Sequence, residues 1–196
     1  MLSVSAPDDL AAVVAALRRG AVVGVPTDTV YGLAADPFSR EAVALLFSLK
    51  RRPAVKAIPI LAASIEQAER VGVLAGPARR AAERYWPGAL TLVVGRVPGL
   101  PDWVGNPARD SVGIRVPDHP AALSLLAEAG PLAVTSANRS GGAAAEDDAG
   151  ARAIFADGVA AYLPGTGAGG APSTVVDLTS GSPRVLRAGP VLWEGM

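Results

Sequence analysis

Cysteine is absent from this 196-residue chain, and histidine occurs only once, at His119. The first absence excludes disulfides, thiolate nucleophiles and cysteine-based zinc sites, and it fits a reducing compartment. One imidazole between Asp118 and Pro120 is more simply a residue at a helix start than a catalyst, so a histidine-based metal site has no support. We therefore expect neither thiol redox chemistry nor a zinc centre.

The chain also has no net charge and no long apolar run, and its first residues predict no signal peptide. Its 18 basic and 18 acidic residues balance, which argues against the broadly basic surface that binds long nucleic acids. No run reaches the ~20 apolar residues of a membrane-spanning helix, and residues 1–9 have no basic region followed by an apolar one. We therefore expect a cytoplasmic protein without membrane contact, in which any anion site is local.

Lysine is scarce, and both lysines fall in one basic stretch. Between residues 37 and 64 a single acid accompanies five cations: Arg40, Lys50, Arg51, Arg52 and Lys56. Cations at a helix C-terminus stabilise its dipole by about 0.3–1 kcal/mol each, which explains one or two of them. The dipole does not explain Lys56, which follows Pro53, so the stretch predicts a local anion-binding site.

Helical and strand patterns alternate along the chain. Asp8 or Asp9 can begin a helix that Gly20 ends, and an apolar strand at 21–25 follows. Further helices are predicted to begin at Ser39, Ser64, Pro77 and Asp118 and near Asp148, with strands at 58–62, 89–94, 111–116, 132–135, 159–163, 174–178 and 184–187. The pattern predicts one α/β domain over residues 1–196, with a twisted, mixed sheet flanked by helices and a deep cationic cleft.

Several familiar motifs are incomplete here. The glycine-rich run at 164–170 precedes a strand instead of a helix, so a flexible loop or lid is a better interpretation than a dinucleotide fingerprint. There is no P-loop, and Ser136 lacks the partners of a hydrolase nucleophile. Glu146, Asp147 and Asp148 could hold Mg²⁺, but acids before a helix more often stabilise its N-terminus. We therefore predict no protein-bound metal.

Polar side chains remain at strand ends and in the adjoining loops. Charge-assisted and bidentate hydrogen bonds from such groups can hold phosphate and carboxylate groups. The set is Thr27, Thr29, Lys50, Arg52, Arg115, Thr135, Ser136, Asn138, Ser173 and Arg187.

Six segments, in order, resemble motifs of the YrdC/Sua5 family in its single-domain threonylcarbamoyl-adenylate synthase form. They are PTDTVYGL at 26–33, KRRP at 50–53, WPGALT at 86–91, SVGIRVPDHP at 111–120, TSANRSG at 135–141 and STVVD at 173–177. The resemblance covers about residues 20–189. It implies a YrdC-like domain that joins L-threonine, bicarbonate and ATP, with Mg²⁺, into threonylcarbamoyl-AMP and pyrophosphate.

The resemblance also implies residue roles and partners. The family's signature tetrad falls on Lys50, Arg52, Ser136 and Asn138. By motif, the residues around threonine would be Thr27, Arg115, Ser136 and Ser173, and those around ATP would be Lys50, Ser111, Asn138 and Arg187. The product would serve the modification of ANN-decoding tRNAs, with tRNA-threonylcarbamoyl transferase proteins acting downstream.

Two departures and two alternatives accompany this interpretation. Lys56-Ala57-Ile58-Pro59 differs from the family pattern, and the chain stops at Met196, without the extra domain expected of the longer Sua5 form. An RNA-binding YrdC/YciO-like module without synthase activity is the main alternative, although few aromatic residues are present to stack bases. A maturation subunit like the related domain of hydrogenase carbamoylation proteins is the other.

Overall fold

The computed structural model of the protein describes residues 9–51 and 57–195. Its helices are α1 (Leu10–Arg18), α2 (Arg40–Lys50), α3 (Ile65–Ala68), α4 (Pro77–Tyr85), α5 (Pro120–Ala129) and α6 (Asp148–Phe155). Its strands are β1 (Val23–Val25), β2 (Gly32–Ala35), β3 (Ile60–Leu61), β4 (Leu90–Gly95), β5 (Ser111–Arg115), β6 (Leu132–Ser136), β7 (Ala161–Tyr162), β8 (Thr174–Asp177) and β9 (Arg184–Arg187). Short 3₁₀ turns lie at Pro107–Arg109 and Ala156–Gly158.

The strands form one nine-stranded sheet in the order β7-β1-β2-β6-β3-β5-β4-β8-β9. The pairs β1–β7, β3–β5 and β4–β8 are parallel, and the other neighbours are antiparallel. The predicted single α/β domain with a mixed sheet is therefore confirmed. Its predicted limits, Met1 and Met196, lie outside the described residues.

Side-chain caps begin several helices where the sequence predicted them. Asp9 accepts a hydrogen bond from the amide of Ala12 at 2.8 Å, and Ser39 accepts one from Ala42 at 3.2 Å. Such caps satisfy amides that have no partner within the helix. The predicted cap of α5 was wrong by one residue, because His119 holds the N-cap position and Pro120 follows as the first helical residue.

Strand β2 was missing from the sequence prediction. Its residues, Gly-Leu-Ala-Ala, include no β-branched or aromatic side chain, so local propensity gives no strand signal. The strand forms because it lies between β1 and β6 and pairs antiparallel with both. Tertiary pairing therefore decides this element.

The side chains that alternate along the strands build two apolar clusters. In the first, Leu92 and Ile114 of the sheet share a cluster with Leu46 of α2 and Ala81 of α4. In the second, Val134 of β6 packs with Val13 of α1 and Leu125 of α5. Within the described ranges, this second cluster draws its strand residues from β7, β1, β2, β6 and β3, so α1 and α5 cover that part of the face. The cleft lies on the rest of that face.

None of the helices in the described part of the chain combines the length and the apolar composition that crossing a bilayer requires.

Candidate functional site

A cleft with a volume of about 420 Å³ opens on the uncovered part of the sheet. Eight residues that the sequence predicted for the site line it: Thr27, Thr29, Ser111, Arg115, Thr135, Ser136, Ser173 and Arg187. They come from five separate segments: the loop after β1, the strands β5, β6 and β9, and the position just before β8. The fold thus brings together residues that are up to 160 positions apart in the chain.

The two-residue period of the strands explains which side chains reach the cleft. On β5, Ser111, Gly113 and Arg115 line it, whereas Val112 and Ile114 between them belong to the first apolar cluster. On β4 and β8, Thr91, Val93, Val175 and Asp177 line the cleft in the same alternating way. One face of these strands is therefore core and the other is the floor of the cleft.

Arg115 is the most deeply buried cation of the cleft, at 5% exposure. Its Nε donates to the carbonyl of Gly88 at 2.8 Å, its NH1 donates to Thr29 Oγ1 at 2.9 Å, and its NH2 donates to Asp28 Oδ1. Burial lowers the pKa of Arg115, and the neighbouring carboxylate of Asp28 acts against that shift. The guanidinium is thus held in one orientation by three acceptors.

Thr27 belongs to the same polar loop. Its hydroxyl donates to the carbonyl of Val30 at 2.7 Å and lies 3.1 Å from the hydroxyl of Thr29, which accepts from Arg115. The predicted threonine-site residues Thr27 and Arg115 are therefore connected through Thr29.

Ser173 and Arg187 are in direct contact. Arg187 donates from Nε to the Ser173 carbonyl at 2.9 Å and from NH2 to the Ser173 hydroxyl at 3.1 Å. The same hydroxyl lies 2.7 Å from Thr91 Oγ1. Burial lowers the pKa of Arg187. Ser173, predicted to bind threonine, and Arg187, predicted to bind ATP, are thus joined by hydrogen bonds.

Lys50, Ser136 and Asn138 form a compact cluster at the end of β6. The Lys50 ammonium donates to the Ser136 carbonyl at 2.5 Å and to both the carbonyl and Oδ1 of Asn138 at 2.8 Å. The Ser136 hydroxyl donates to Asn138 Oδ1 at 2.6 Å. Lys50 is only 3% exposed, and neither it nor Asn138 lines the cleft as Ser136 does. In this arrangement Lys50 holds the turn that carries Ser136.

Arg52 and Lys56, two of the predicted cations, lie outside the described residues. Around the cleft, the described chain places three guanidinium groups, those of Arg109, Arg115 and Arg187, and one carboxylate, that of Asp177. The strongly cationic character that the sequence suggested stays a prediction.

The glycine-rich run that was interpreted as a loop or lid packs closely on the threonine-rich loop. The amide of Gly167 donates to the Glu146 carbonyl at 2.6 Å, and that of Ala168 donates to the Thr27 carbonyl at 3.2 Å. A Cβ on Gly167 would lie 2.6 Å from the amide nitrogen of Tyr31. Gly167 is therefore needed for this close approach, which holds Thr27 at the rim of the cleft.

Sequence reasoning missed four polar residues that line the cleft: Thr91, Asn106, Arg109 and Asp177. Thr91 and Asp177 could have been found from the alternation of their strands, since each lies an even number of positions from another cleft residue. Arg109 is the last residue of the turn Pro107–Arg109, and Asn106 precedes that turn. No local sequence pattern indicates which way this loop folds.

The acids at 146–148 serve the start of α6. Asp147 is its N-cap and accepts from the amide of Gly150 at 2.7 Å, and Asp148 accepts from the amide of Gly165 at 3.3 Å. Among the described residues, no group of three or more His, Asp or Glu side chains is close enough together to hold a metal ion. Asp147 and Asp148 therefore act at the N-terminus of α6.

Comparison with known proteins identifies the family. A family model for Sua5, YciO and YrdC proteins, described as "Telomere recombination", matches residues 15–189. The chain belongs to the Sua5/YciO/YrdC family. It is 47% identical over 184 residues to a putative threonylcarbamoyl-AMP synthase of Mycobacterium leprae, covering 93% of this chain and 83% of that protein. It is 39% identical over 170 residues to the threonylcarbamoyl-AMP synthase of Methylococcus capsulatus, covering 85% and 90%.

Solved structures of this Sua5/YciO/YrdC family share the fold. The crystal structure of P. abyssi Sua5 complexed with L-threonine has a TM-score of 0.83 and 35% identity over 89% of this chain. This chain spans 52% of that Sua5 chain, so it corresponds to about half of the larger protein. The roles that the motifs assign to individual residues stay predictions, although the fold assembles most of them in one cleft.

Proposed function

We propose that the protein is an L-threonylcarbamoyladenylate synthase, a nucleotidyltransferase that makes threonylcarbamoyl-AMP and pyrophosphate from L-threonine, bicarbonate or CO₂, and ATP. A relative at 47% identity is named a putative threonylcarbamoyl-AMP synthase, and one at 39% identity is named a threonylcarbamoyl-AMP synthase. The observation that carries the proposal is the cleft, which collects all four residues that the motifs assign to threonine: Thr27, Arg115, Ser136 and Ser173.

The amino-acid site would use the deep end of the cleft. The guanidinium of Arg115 suits a carboxylate, and the hydroxyls of Thr27 and Ser173 suit the amine and hydroxyl groups of threonine. The amine would lose a proton and add CO₂ to form a carbamate. Both the carbamate and ATP are anions, so positioning beside fixed cations is the principal contribution that the protein can make.

The nucleotide would lie next to this site. Arg187 contacts Ser173, which places a cation beside the threonine subsite, and Ser111 lines the same cleft. A carbamate oxygen would attack the α-phosphorus of ATP, and pyrophosphate would leave with the electrons of the broken P–O bond. The reaction needs no protein nucleophile. Lys50 and Asn138, which the motifs assign to ATP, would also fix Ser136 of the threonine site.

Mg²⁺ would arrive with ATP. The described part of the cleft offers hydroxyls and the single carboxylate of Asp177, a donor set that leaves most ligand positions to phosphate oxygens and water. Magnesium in nucleotide sites is commonly held in this way. We propose that the labile adenylate then passes to tRNA-threonylcarbamoyl transferase proteins in the cytoplasm.

The test is pyrophosphate release from purified protein supplied with ATP, bicarbonate, Mg²⁺ and L-threonine. The proposal expects release only when threonine is present, and it expects Arg52→Ala and Lys50→Ala to abolish it. Turnover that does not depend on threonine would contradict the proposal. Salt-dependent RNA binding without threonine or ATP affinity would favour the RNA-binding alternative instead.

A further inference from the structure

Asp28 forms the one ion pair that involves a buried cation of the cleft in the described residues. The side chains of Arg115 and Asp28 are 6% and 15% exposed, and NH2 of Arg115 donates to Asp28 Oδ1. Arg115 lines the cleft but Asp28 does not. A ligand in the cleft can therefore touch the guanidinium without touching the carboxylate that pairs with it.

The donors of Arg115 leave room for such a ligand. A guanidinium carries five N–H groups, and protein acceptors take three of them, at Gly88, Thr29 and Asp28. One N–H on each of NH1 and NH2 has no acceptor among the described residues. These two groups belong to the planar fork that binds a carboxylate through two parallel hydrogen bonds.

The net charge near the Arg115 guanidinium also favours the binding of one anion. Arg187 is close enough for its charge to oppose that of Arg115, and Asp28 supplies a single compensating negative charge. Around the described part of the cleft, three guanidinium groups and the carboxylates of Asp28 and Asp177 leave one positive charge, which a single substrate carboxylate would neutralise. Loss of Asp28 would remove the one charged acceptor that the guanidinium has among the described residues, and would leave it held by two neutral acceptors, Gly88 and Thr29.

We propose that Asp28 is a positioning residue, whose carboxylate fixes the Arg115 guanidinium so that its two remaining N–H groups are held for the carboxylate of the amino-acid substrate. This inference rests on the proposed function, in which that carboxylate belongs to L-threonine. Asp28 acts through Arg115 and makes no contact with the substrate itself.

The test compares two ligands by calorimetry: L-threonine, and L-threoninamide, which lacks the carboxylate. In the wild type, threonine should bind more tightly than the amide. Asp28→Asn should weaken threonine binding at least 10-fold and leave threoninamide and ATP affinities within about threefold. Asp28→Glu, which keeps the charge on a longer side chain, should give an intermediate preference for threonine.

Asp102→Asn is the matched control. Asp102 also pairs with a mostly buried arginine, Arg96, at 3.2 Å, and neither residue lines the cleft. This variant should keep the wild-type preference. A purely structural role for Asp28 would weaken both ligands equally, and a role as a competitor of the substrate would strengthen threonine binding, so either result would overturn the inference.

The outcomes also separate the inference from the proposed function. A wild type that binds threonine, together with an Asp28→Asn variant of unchanged preference, would overturn the inference alone. A wild type that binds no threonine would overturn both. If Asp28→Asn does not fold, Asp28→Glu decides: a preference at least threefold below that of the wild type supports the inference, and a wild-type preference refutes it.

Discussion

Replacing Lys50 by methionine tests whether this cation stabilises only the helix dipole or also holds the turn at Ser136 through hydrogen bonds. Lys50 is the last residue of α2, so it could act only through the helix dipole, which is worth about 0.3–1 kcal/mol. The structure gives it a larger role, because its ammonium donates hydrogen bonds of 2.5, 2.8 and 2.8 Å, among others, to Ser136 and Asn138.

The expected loss in the free energy of unfolding follows from those three hydrogen bonds. Methionine has a similar volume but no donor, so two carbonyl oxygens and one amide oxygen lose the hydrogen bond that Lys50 donates. At a net ~1 kcal/mol for each bond, after water re-enters from the cleft, Lys50→Met should lower the free energy of unfolding by about 3 kcal/mol. For a chain of this length the melting temperature should fall by about 6–12 °C.

The matched control is Arg18→Met, because Arg18 is also the last residue of a helix, α1, and is exposed. Its loss should cost about 0.5 kcal/mol or less. Chemical denaturation of both variants measures the two values on one scale. If they differ by less than about 1 kcal/mol, Lys50 acts only through the dipole and the account of its role is wrong.

Three further outcomes are expected. Burial raises the pKa of Tyr31 far above its usual value near 10 and that of Tyr162 to about 12. Because the unfolded tyrosines ionise first, stability should fall as pH rises from about 10 to 12, and denaturation of Tyr31→Phe over that range should show a shallower fall. Gly167→Ala should lower the free energy of unfolding by about 1–3 kcal/mol, because its Cβ would meet the Tyr31 amide nitrogen at 2.6 Å. Gly181→Ala, with nothing within 4 Å of its Cβ, should be near neutral in the same melts, and equal losses would contradict the packing argument. Thr91→Val removes the hydroxyl that lies 2.7 Å from the hydroxyl of Ser173, so the KM for threonine in steady-state assays should rise about fivefold. The KM of Thr91→Ser, which keeps the hydroxyl, should stay near the wild-type value. Equal KM values for the two variants would show that this bond is unimportant.

The sequence predicts those parts of the fold that local chemistry determines. Caps at Asp9 and Ser39 and the helix Pro77–Tyr85 follow from residues that lie within one helical turn of the boundary. Strand β2 could not be predicted, because its formation depends on partners on both sides. The start of α5 moved to His119 because Pro120 is suited to the first helical position.

The same distinction applies to the site. Motif spacing predicted the residues that strands β5, β6, β8 and β9 bring to the cleft, since strand ends converge on one region of a sheet. It did not predict that Asp28 pairs with Arg115 or that Lys50 holds the turn at Ser136, because both contacts join segments more than 80 positions apart. Arg109 was missed because its place depends on the path of an irregular loop.

The central claim is that one cleft holds threonine beside ATP and joins them through one carbon of bicarbonate. The most direct measurement is mass spectrometry of the nucleotide product made with ¹³C-bicarbonate. The account predicts a threonine-containing AMP adduct that carries the heavy carbon and that forms only when threonine and ATP are both present. AMP or ADP without the adduct, or an adduct that lacks the label, would contradict it.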